Sequence, residues 1–353
     1  MPTAQRNSLI LLRWMMAASL ALPLALFLFA SAMSRVSNSD AADQEIQRTL
    51  DVTHEHALKV FETIDRSLGE ITEVVRGMSD ADIAAREKSL HERLRQVADT
   101  LPQVKSIWVF DASGHALVNS LVEPAPDVDF SDRDYFRIHA ERDIGTFIGE
   151  VLTPRPPYQG ARFFSVGRRR SNADGSFAGV IQASVLPEYF ENFYARIGRE
   201  PGSFLALIRT DGAVLAHFPV VDHDVRFEPS GPLGQQMAAN PLAGTMTIRS
   251  PVDGIERRMR YERLSEYPIY VSAGLETSAI RARWHHALKL SRVSAANSRD
   301  SVRAEVPTVR ASASISWSLV GSASTISAAR RQRGSCGSGM KVAESSAWCS
   351  SSI

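Results

Sequence analysis

Hydrophobic and polar positions divide the chain into an apolar run, a long helical stretch and a series of strands. The run from Trp14 to Met33 contains no charged residue and is dominated by leucine, alanine, phenylalanine and methionine. About 20 apolar residues in a helix cross the hydrocarbon core of a bilayer. The pattern therefore predicts a transmembrane helix at 14–34, with residues 1–13 as a cytoplasmic N-terminus.

Basic residues around this run predict its orientation. Arg6 and Arg13 precede it, and only Arg35 follows it directly. Because basic flanks tend to stay in the cytoplasm, we expect the rest of the chain to lie outside it. A cleaved signal peptide is the alternative, since Ala30-Ser31-Ala32 fits a cleavage site. Both alternatives export residues 36–283.

Residues 38–101 have the period of amphipathic helices and predict a long helical stalk. The apolar positions of its first helix are Ile46, Leu50, Ala57, Phe61, Ile64, Leu68, Ile71, Val75 and Met78. Gly77 can close that helix, and Ser79 can cap a second one that Pro102 stops. One apolar stripe on so long a helix predicts a homodimer through the stalk, either as a plain coiled coil or as a spine that transmits motion.

One pattern then occurs twice along the chain. Residues 109–118 and 207–216 each contain an apolar strand, a turn with Asp and Gly, and a second apolar strand. The repetition predicts an α+β fold with two tandem antiparallel-sheet modules, a membrane-distal one at 102–197 and a membrane-proximal one at 202–280.

Alternation and turn residues place the elements of each module. The distal strands are predicted at Lys105–Phe110, His115–Leu121, Phe147–Leu152, Ala161–Gly167 and Phe177–Leu186. The proximal strands are predicted at Ser203–Arg209, Ala213–Phe218, Gly244–Ser250, Glu256–Leu264 and Ile269–Gly274. Ser131 is the expected N-cap of a short distal helix, with Asp134 at its capping-box position.

Four short motifs follow one another in these modules. They are Val-Phe-Asp-x-x-Gly at 109–114, Asp-Arg-Asp-Tyr-Phe at 132–136, Gly-x-Phe-Ile-Gly-Glu at 145–150 and Asp-Gly-x-Phe-x-Gly-Val-Ile at 174–181. Their order after a long helix resembles the double Cache (PAS-like, PDC-type) sensor domains of bacterial receptors, over residues 40–283. The resemblance implies a small-molecule pocket in the distal module and a proximal module that binds nothing and passes motion on. It also implies a bacterial inner-membrane protein with both modules in the periplasm.

The resemblance also implies seven ligand-binding residues around that pocket: Arg133, Asp134, Tyr135, Arg155, Ser165, Gln182 and Ser184. Alternation can put the last three on one face of the sheet. Amino-acid-binding relatives carry an aspartate where this chain has Ser184, so we expect an organic acid or another small carboxylate. An arginine fork suits a carboxylate, although Arg133 could instead pair with a neighbouring aspartate and Asp134 could only cap its helix.

Charge and motifs bear on the other function classes. With 40 Lys+Arg against 39 Asp+Glu, no overall field favours nucleic acid, and we expect no such partner. His54 and His56 lack the spacing of zinc proteases, and the loop holding His217 and His223 is more typical of a solvated loop than of a metal site. Phosphate-binding loops and nucleophile elbows do not occur in the sequence. We expect no catalytic residue, metal or cofactor in this chain.

Residues 285–353 depart from this pattern. They are rich in Ser, Ala, Arg and Gly, contain Cys336 and Cys349, and lack an apolar run long enough for a second span. A disordered linker is one explanation; a frameshifted or truncated product is the other, and the composition favours it. The expected function is the sensing module of a two-component histidine kinase receptor without its output domain. An exported or anchored solute-binding protein, or a chemoreceptor or diguanylate cyclase sensor fragment, is the alternative.

Overall fold

The computed structural model describes residues 2–156, 159–221, 225–250 and 253–286. Its helices are α1 (Pro2–Val74), α2 (Asp80–Ala85), α3 (Glu87–Asp99), α4 (Asp134–Glu141), α5 (Pro187–Ile197) and α6 (Pro232–Ala239), and residues 277–286 are helical as well. The expectations for His223 and for the tail from residue 287, including its cysteines, lie outside the described residues.

Ten strands form the two sheets. The first sheet contains β1 (Val104–Phe110), β2 (Ala116–Asn119), β3 (Phe147–Leu152), β4 (Phe163–Ser171) and β5 (Phe177–Val185). The second contains β6 (Ser203–Arg209), β7 (Val214–Phe218), β8 (Ala243–Arg249), β9 (Glu256–Arg263) and β10 (Ile269–Glu276). Their orders are β2-β1-β5-β4-β3 and β7-β6-β10-β9-β8, and every pairing is antiparallel. The same topology occurs twice, which confirms the predicted α+β fold.

Helix α1 includes the apolar run and continues without a break into the stalk. Its apolar part has a mean hydropathy of 2.0 over an 18-residue window, and none of that window is buried within the protein. By length and composition it can cross a membrane, although a signal sequence has the same properties. The structure therefore agrees with an apolar helix at this position.

The apolar stripe of the stalk lies inside the protein. Eight of the nine predicted stripe residues are at most 2% exposed and form one core with strands of both sheets, and the ninth, Met78, is partly buried against that core. The ring of Phe61, for example, contacts Phe164 of β4 and Tyr267 of the proximal module. The expectation that this stripe joins two copies is wrong, because the sheets of the same chain already cover it.

The helix ends agree with the sequence at some positions and differ at others. Ser79 caps α2 as expected and forms a capping box with Asp82, but the helix breaks at Arg86 and resumes as α3. The N-cap of α4 is Arg133 rather than Ser131. The backbone N–H of Ser131 instead donates to the Asp129 carboxylate at 2.7 Å, in a turn that precedes the helix.

Candidate functional site

The distal module contains a cavity between its sheet and the segments that cover the sheet. Its volume is about 60 Å³. The residues that line it come from β1, β4, β5, α4 and the covering loops: Lys105, Ser106, Trp108, Phe110, Leu121, Phe130, Tyr135, Pro154, Arg155, Gln159, Phe163, Gln182 and Ser184. The cavity is therefore at the place that the sequence predicts for the ligand pocket.

Aromatic rings form one side of the cavity. Trp108 and Phe110 lie two residues apart on β1 and so share a face of the sheet. The Phe110 ring contacts the rings of Phe130 and Tyr135, with centroid distances of 5.3 and 6.0 Å. Burial raises the pKa of the Tyr135 hydroxyl far above its ordinary value, so this group stays protonated. This side can hold an apolar group of a ligand.

Neutral polar side chains form the floor. Strand register places Ser106 opposite Ser184, and Trp108 opposite Gln182. The Trp108 indole N–H donates to the Ser106 hydroxyl at 2.8 Å, and the Gln182 amide donates to the Ser184 hydroxyl at 3.2 Å. All four side chains are buried. The floor therefore offers hydroxyl and amide groups without formal charge.

Two cations stand at the rim. Lys105 Nζ donates to the Ala161 carbonyl oxygen at 3.3 Å. Arg155 Nη2 donates to the two carboxylate oxygens of Asp132 at 2.6 and 2.9 Å, and its guanidinium lies 5.6 Å from the centre of the Phe130 ring. Hydrogen bonding between the two raises the pKa of Arg155 and lowers that of Asp132. Among the described lining residues there is no carboxylate, and because Asp132 offsets the charge of Arg155, Lys105 is the main source of positive charge on the wall.

The structure brings four of the seven expected ligand residues together and leaves three outside. Tyr135, Arg155, Gln182 and Ser184 line the cavity; Arg133, Asp134 and Ser165 do not.

The three outer residues have other contacts or positions. Arg133 Nη2 lies 3.4 Å from the Thr153 carbonyl oxygen. The Asp134 carboxylate accepts from the Glu150 backbone N–H at 3.2 Å, on the side of α4 that faces β3. Ser165 lies opposite Ser184 on β4 and on the same face of the sheet, but it is fully buried and does not line the cavity.

Several lining residues were not predicted from the sequence. Ser106, Trp108 and Phe110 occupy alternate positions of β1 and so lie on one face of the sheet. This alternation could have identified them as lining residues once β1 was paired with β5. Phe130 lies in an irregular segment with no period. The position of Lys105 at the rim depends on the loop that ends near Ala161, and nothing local to Lys105 indicates that contact.

The corresponding face of the proximal sheet carries two buried tyrosines. Tyr261 and Tyr270 meet edge to face, with 5.6 Å between ring centroids. The Tyr261 hydroxyl donates to the carbonyl oxygen of Gln236 at 2.9 Å, and that of Tyr270 to Pro241 at 2.9 Å. These bonds tie α6 and the residues after it to the sheet. A cavity of about 270 Å³ remains beside Tyr270, lined by residues of the β6–β7 turn and of α6.

A larger cavity, of about 340 Å³, lies where α5 meets β7. Valines form much of its wall, together with Glu191, Arg162 and His217. Burial and the neighbouring Glu188 raise the pKa of Glu191. The cavity lies next to residues 222–224, which are outside the described part of the chain, so its shape assigns no ligand.

Comparison with known proteins places these observations in a family. A model of the Cache domain matches residues 37–284. No curated protein matches the chain significantly.

Solved structures share the fold. The extracellular domain of rpHK1S-Z16, a protein classed as a histidine kinase, is 30% identical, with a TM-score of 0.60 over 68% of this chain and 97% of that one. An extracellular ligand-binding receptor from Desulfohalobium retbaense is 14% identical, with a TM-score of 0.50 over 65% and 40%. The sensory domain of the Campylobacter jejuni chemoreceptor Tlp3, solved with isoleucine bound, is 12% identical, with a TM-score of 0.48 over 70% and 98%.

Proposed function

The chain belongs to the Cache domain family, and on that premise we propose that it is the extracytoplasmic sensing part of a histidine-kinase-type receptor that binds a small carboxylate in its distal module. The apolar N-terminal helix would anchor it in the inner membrane, with both modules in the periplasm. Support for the receptor type is the 30% identity to the extracellular domain of rpHK1S-Z16.

The charge of the distal cavity carries the proposal for the ligand. Lys105 and Arg155 stand at the rim, and the described lining contains no carboxylate that could pair with an ammonium group. A carboxylate at the rim would gain charge-assisted hydrogen bonds. An ammonium group there would lose its hydration without a compensating charge.

The volume of the distal cavity and its aromatic side further limit the ligands that it can hold. Pockets for drug-sized ligands span about 300–1,000 Å³, whereas this cavity measures about 60 Å³. A short acid with a small apolar group suits the space between the rings of Trp108, Phe110 and Tyr135. Propionate has these properties and is the probe we choose.

Propionate and L-alanine form a matched pair of probes, because they share a three-carbon carboxylate and differ in the ammonium group. We expect propionate to raise the unfolding temperature of the full chain in lipid nanodiscs in proportion to the logarithm of its excess over Kd. L-Alanine should bind about tenfold or more weakly. The proposal would be contradicted if alanine bound as tightly as propionate, or if propionate left the unfolding temperature unchanged.

A further inference from the structure

Arg209 lies at the junction of the two modules. It ends β6 of the proximal sheet, and only 14% of its side chain is exposed. Its Nη1 donates to the carbonyl oxygen of Ile148 on distal strand β3 at 3.1 Å, and the guanidinium lies 5.7 Å from the centre of the Phe147 ring. The same Nη1 is 3.8 Å from Oδ2 of Asp134, the first residue of α4. Arg209 thus contacts the distal strand and the distal cover helix together.

Further charges hold Arg209 in this position. Asp211 accepts two hydrogen bonds from its guanidinium, at 3.0 and 2.7 Å. Although burial opposes the effect, these bonds help to lower the pKa of Asp211, so its carboxylate stays ionised. Arg226 bonds to Asp211 and also to Glu150 of β3. The junction is therefore a network of two arginines and three carboxylates from both modules.

The network begins directly beside the ligand cavity. Asp134 precedes Tyr135, whose ring lines that cavity and is 3% exposed. Because the cavity holds only about 60 Å³, even a small acid in it contacts the residues that cover it, Tyr135 among them. A displacement of Tyr135 moves the first turn of α4, and with it the carboxylate that faces Arg209.

The network also leads toward the membrane side of the proximal module. Arg209 is the register partner of Ile269, the first residue of β10. The whole length of β6 pairs with β10, and β10 runs directly into the helical residues 277–286. A shift of Arg209 therefore acts on the strand that leads out of the module.

We propose that Asp134 and Arg209 are positioning residues that couple occupancy of the distal cavity to β10 and residues 277–286. The proposal rests on the proposed function in that the distal cavity is the sensing site. Asp134 acts on the proximal module through its charge and contacts no ligand. This role differs from the ligand contact that the sequence suggested for it.

Hydrogen exchange of the full chain in nanodiscs, read by mass spectrometry, tests the coupling with propionate as the probe. In the wild type, propionate should slow exchange in α4 and change exchange in residues 269–286. Asp134→Asn keeps the side-chain shape and an acceptor for the Glu150 N–H, but it removes the charge that faces Arg209. We expect it to retain the response of α4 and to reduce that of residues 269–286 by about fivefold or more.

A control separates this role from a general effect of charge on α4. Asp143 is an exposed aspartate just beyond the other end of the helix, where it accepts from the Gly145 N–H at 3.0 Å. Asp143→Asn makes the same change of charge and should leave both responses at their wild-type size. A merely structural role of Asp134 would alter basal exchange while sparing the response to propionate. An undiminished response of residues 269–286 in Asp134→Asn overturns the proposal.

A second perturbation fills the cavity without any ligand. Ser184→Leu adds side-chain volume to the cavity floor, and Ser184→Val serves if the leucine variant does not fold. Either variant should shift exchange in residues 269–286 in the wild-type background but not with Asp134→Asn. If this holds while propionate leaves α4 unaffected, the ligand class is wrong and the coupling stands. If neither perturbation changes exchange in residues 269–286, the coupling is wrong.

Discussion

Arg168 of β4 donates to both carboxylate oxygens of Asp65 in the stalk, with an Nη2–Oδ2 distance of 2.5 Å and an Nε–Oδ1 distance of 3.0 Å. Its Nε also lies 3.0 Å from the Thr146 hydroxyl oxygen. The two charged side chains are 33% and 25% exposed, so water screens the pair only in part. A hydrogen-bonded ion pair therefore fastens the stalk to the distal sheet, beside the apolar core that they share.

Arg168→Gln should lower the free energy of unfolding by about 2 kcal/mol, because the half-buried Asp65 carboxylate loses its charged partner. Arg76→Gln is the matched control, since Arg76 pairs with Glu73 while 71% of its side chain is exposed. Exposed pairs contribute at most about 1 kcal/mol. Urea unfolding of the two variants measures the difference. Equal losses of unfolding free energy would show that the Arg168–Asp65 pair contributes no more than an exposed pair.

Leu68→Ala should lower the free energy of unfolding by about 2–5 kcal/mol, because Leu68 is fully buried against the sheets and the substitution leaves a cavity. Val52→Ala, on the exposed side of the same helix, should stay within about 0.5 kcal/mol. Light scattering should give both variants the oligomeric state of the wild type. A change of that state in Leu68→Ala alone would mean that the stripe contacts a second copy after all.

Local sequence signals predicted the elements well where the chain alternates cleanly between turns. The bounds of β3 and β6 agree with the sequence to the residue, because each is a short apolar run between turn residues. At Ser131 two local signals competed, and the aspartate turn at Asp129 prevailed over the capping box.

What covers a predicted face is decided by contacts that are distant in the sequence. The stalk stripe showed that one face of α1 is buried, but periodicity is the same whether a second helix or a sheet covers that face. In the same way, the sequence indicated that Asp134 matters near the pocket. Its position toward Arg209 depends on how two modules meet, and no local pattern encodes that arrangement.

His56 lies in an aromatic cluster between the stalk and α5. Its ring stacks on Phe193 with 3.6 Å between centroids, and it also contacts Tyr189 and Phe190. Burial, and secondarily the nearby Arg196, lower its pKa from 6.5 to about 4. The buried His139 of α4 has a lowered pKa for the same main reason. Both rings are therefore neutral in the folded protein near pH 7.

These histidines predict the direction of the pH dependence. Between about pH 6.5 and pH 4 the unfolded chain binds a proton at His56 that the folded protein does not bind. The free energy of unfolding should therefore fall as the pH decreases through this window. His56→Phe keeps the ring stacking and should reduce that loss by about 2 kcal/mol. Urea unfolding at pH 7 and pH 4.5 measures the loss of unfolding free energy between the two pH values. An equal loss in His56→Phe and the wild type would contradict the assignment of this pH dependence to His56.

Gly179 allows β5 to lie close to β1. Its φ is +136°, and a Cβ there would stand 2.0 Å from the Phe110 carbonyl oxygen. Gly179→Ala should lower the free energy of unfolding by clearly more than about 1 kcal/mol. Gly77→Ala is the control, because Gly77 also has a positive φ but open space around it. The unfolding temperature of Gly179→Ala should be well below that of Gly77→Ala. Similar unfolding temperatures would mean that the backbone around Gly179 can move to accept a Cβ without loss of stability.

The binding of propionate to cavity variants tests the location of the site most directly. Lys105 and Arg155 stand at the rim of the cavity, whereas Arg133 lies outside it. In calorimetric titrations of the full chain, Lys105→Gln and Arg155→Gln should each weaken binding by about tenfold, the loss of one charge-assisted hydrogen bond. Arg133→Gln should bind as the wild type does. Binding that survives both rim substitutions and is lost in Arg133→Gln would contradict the assignment of the distal cavity as the carboxylate site.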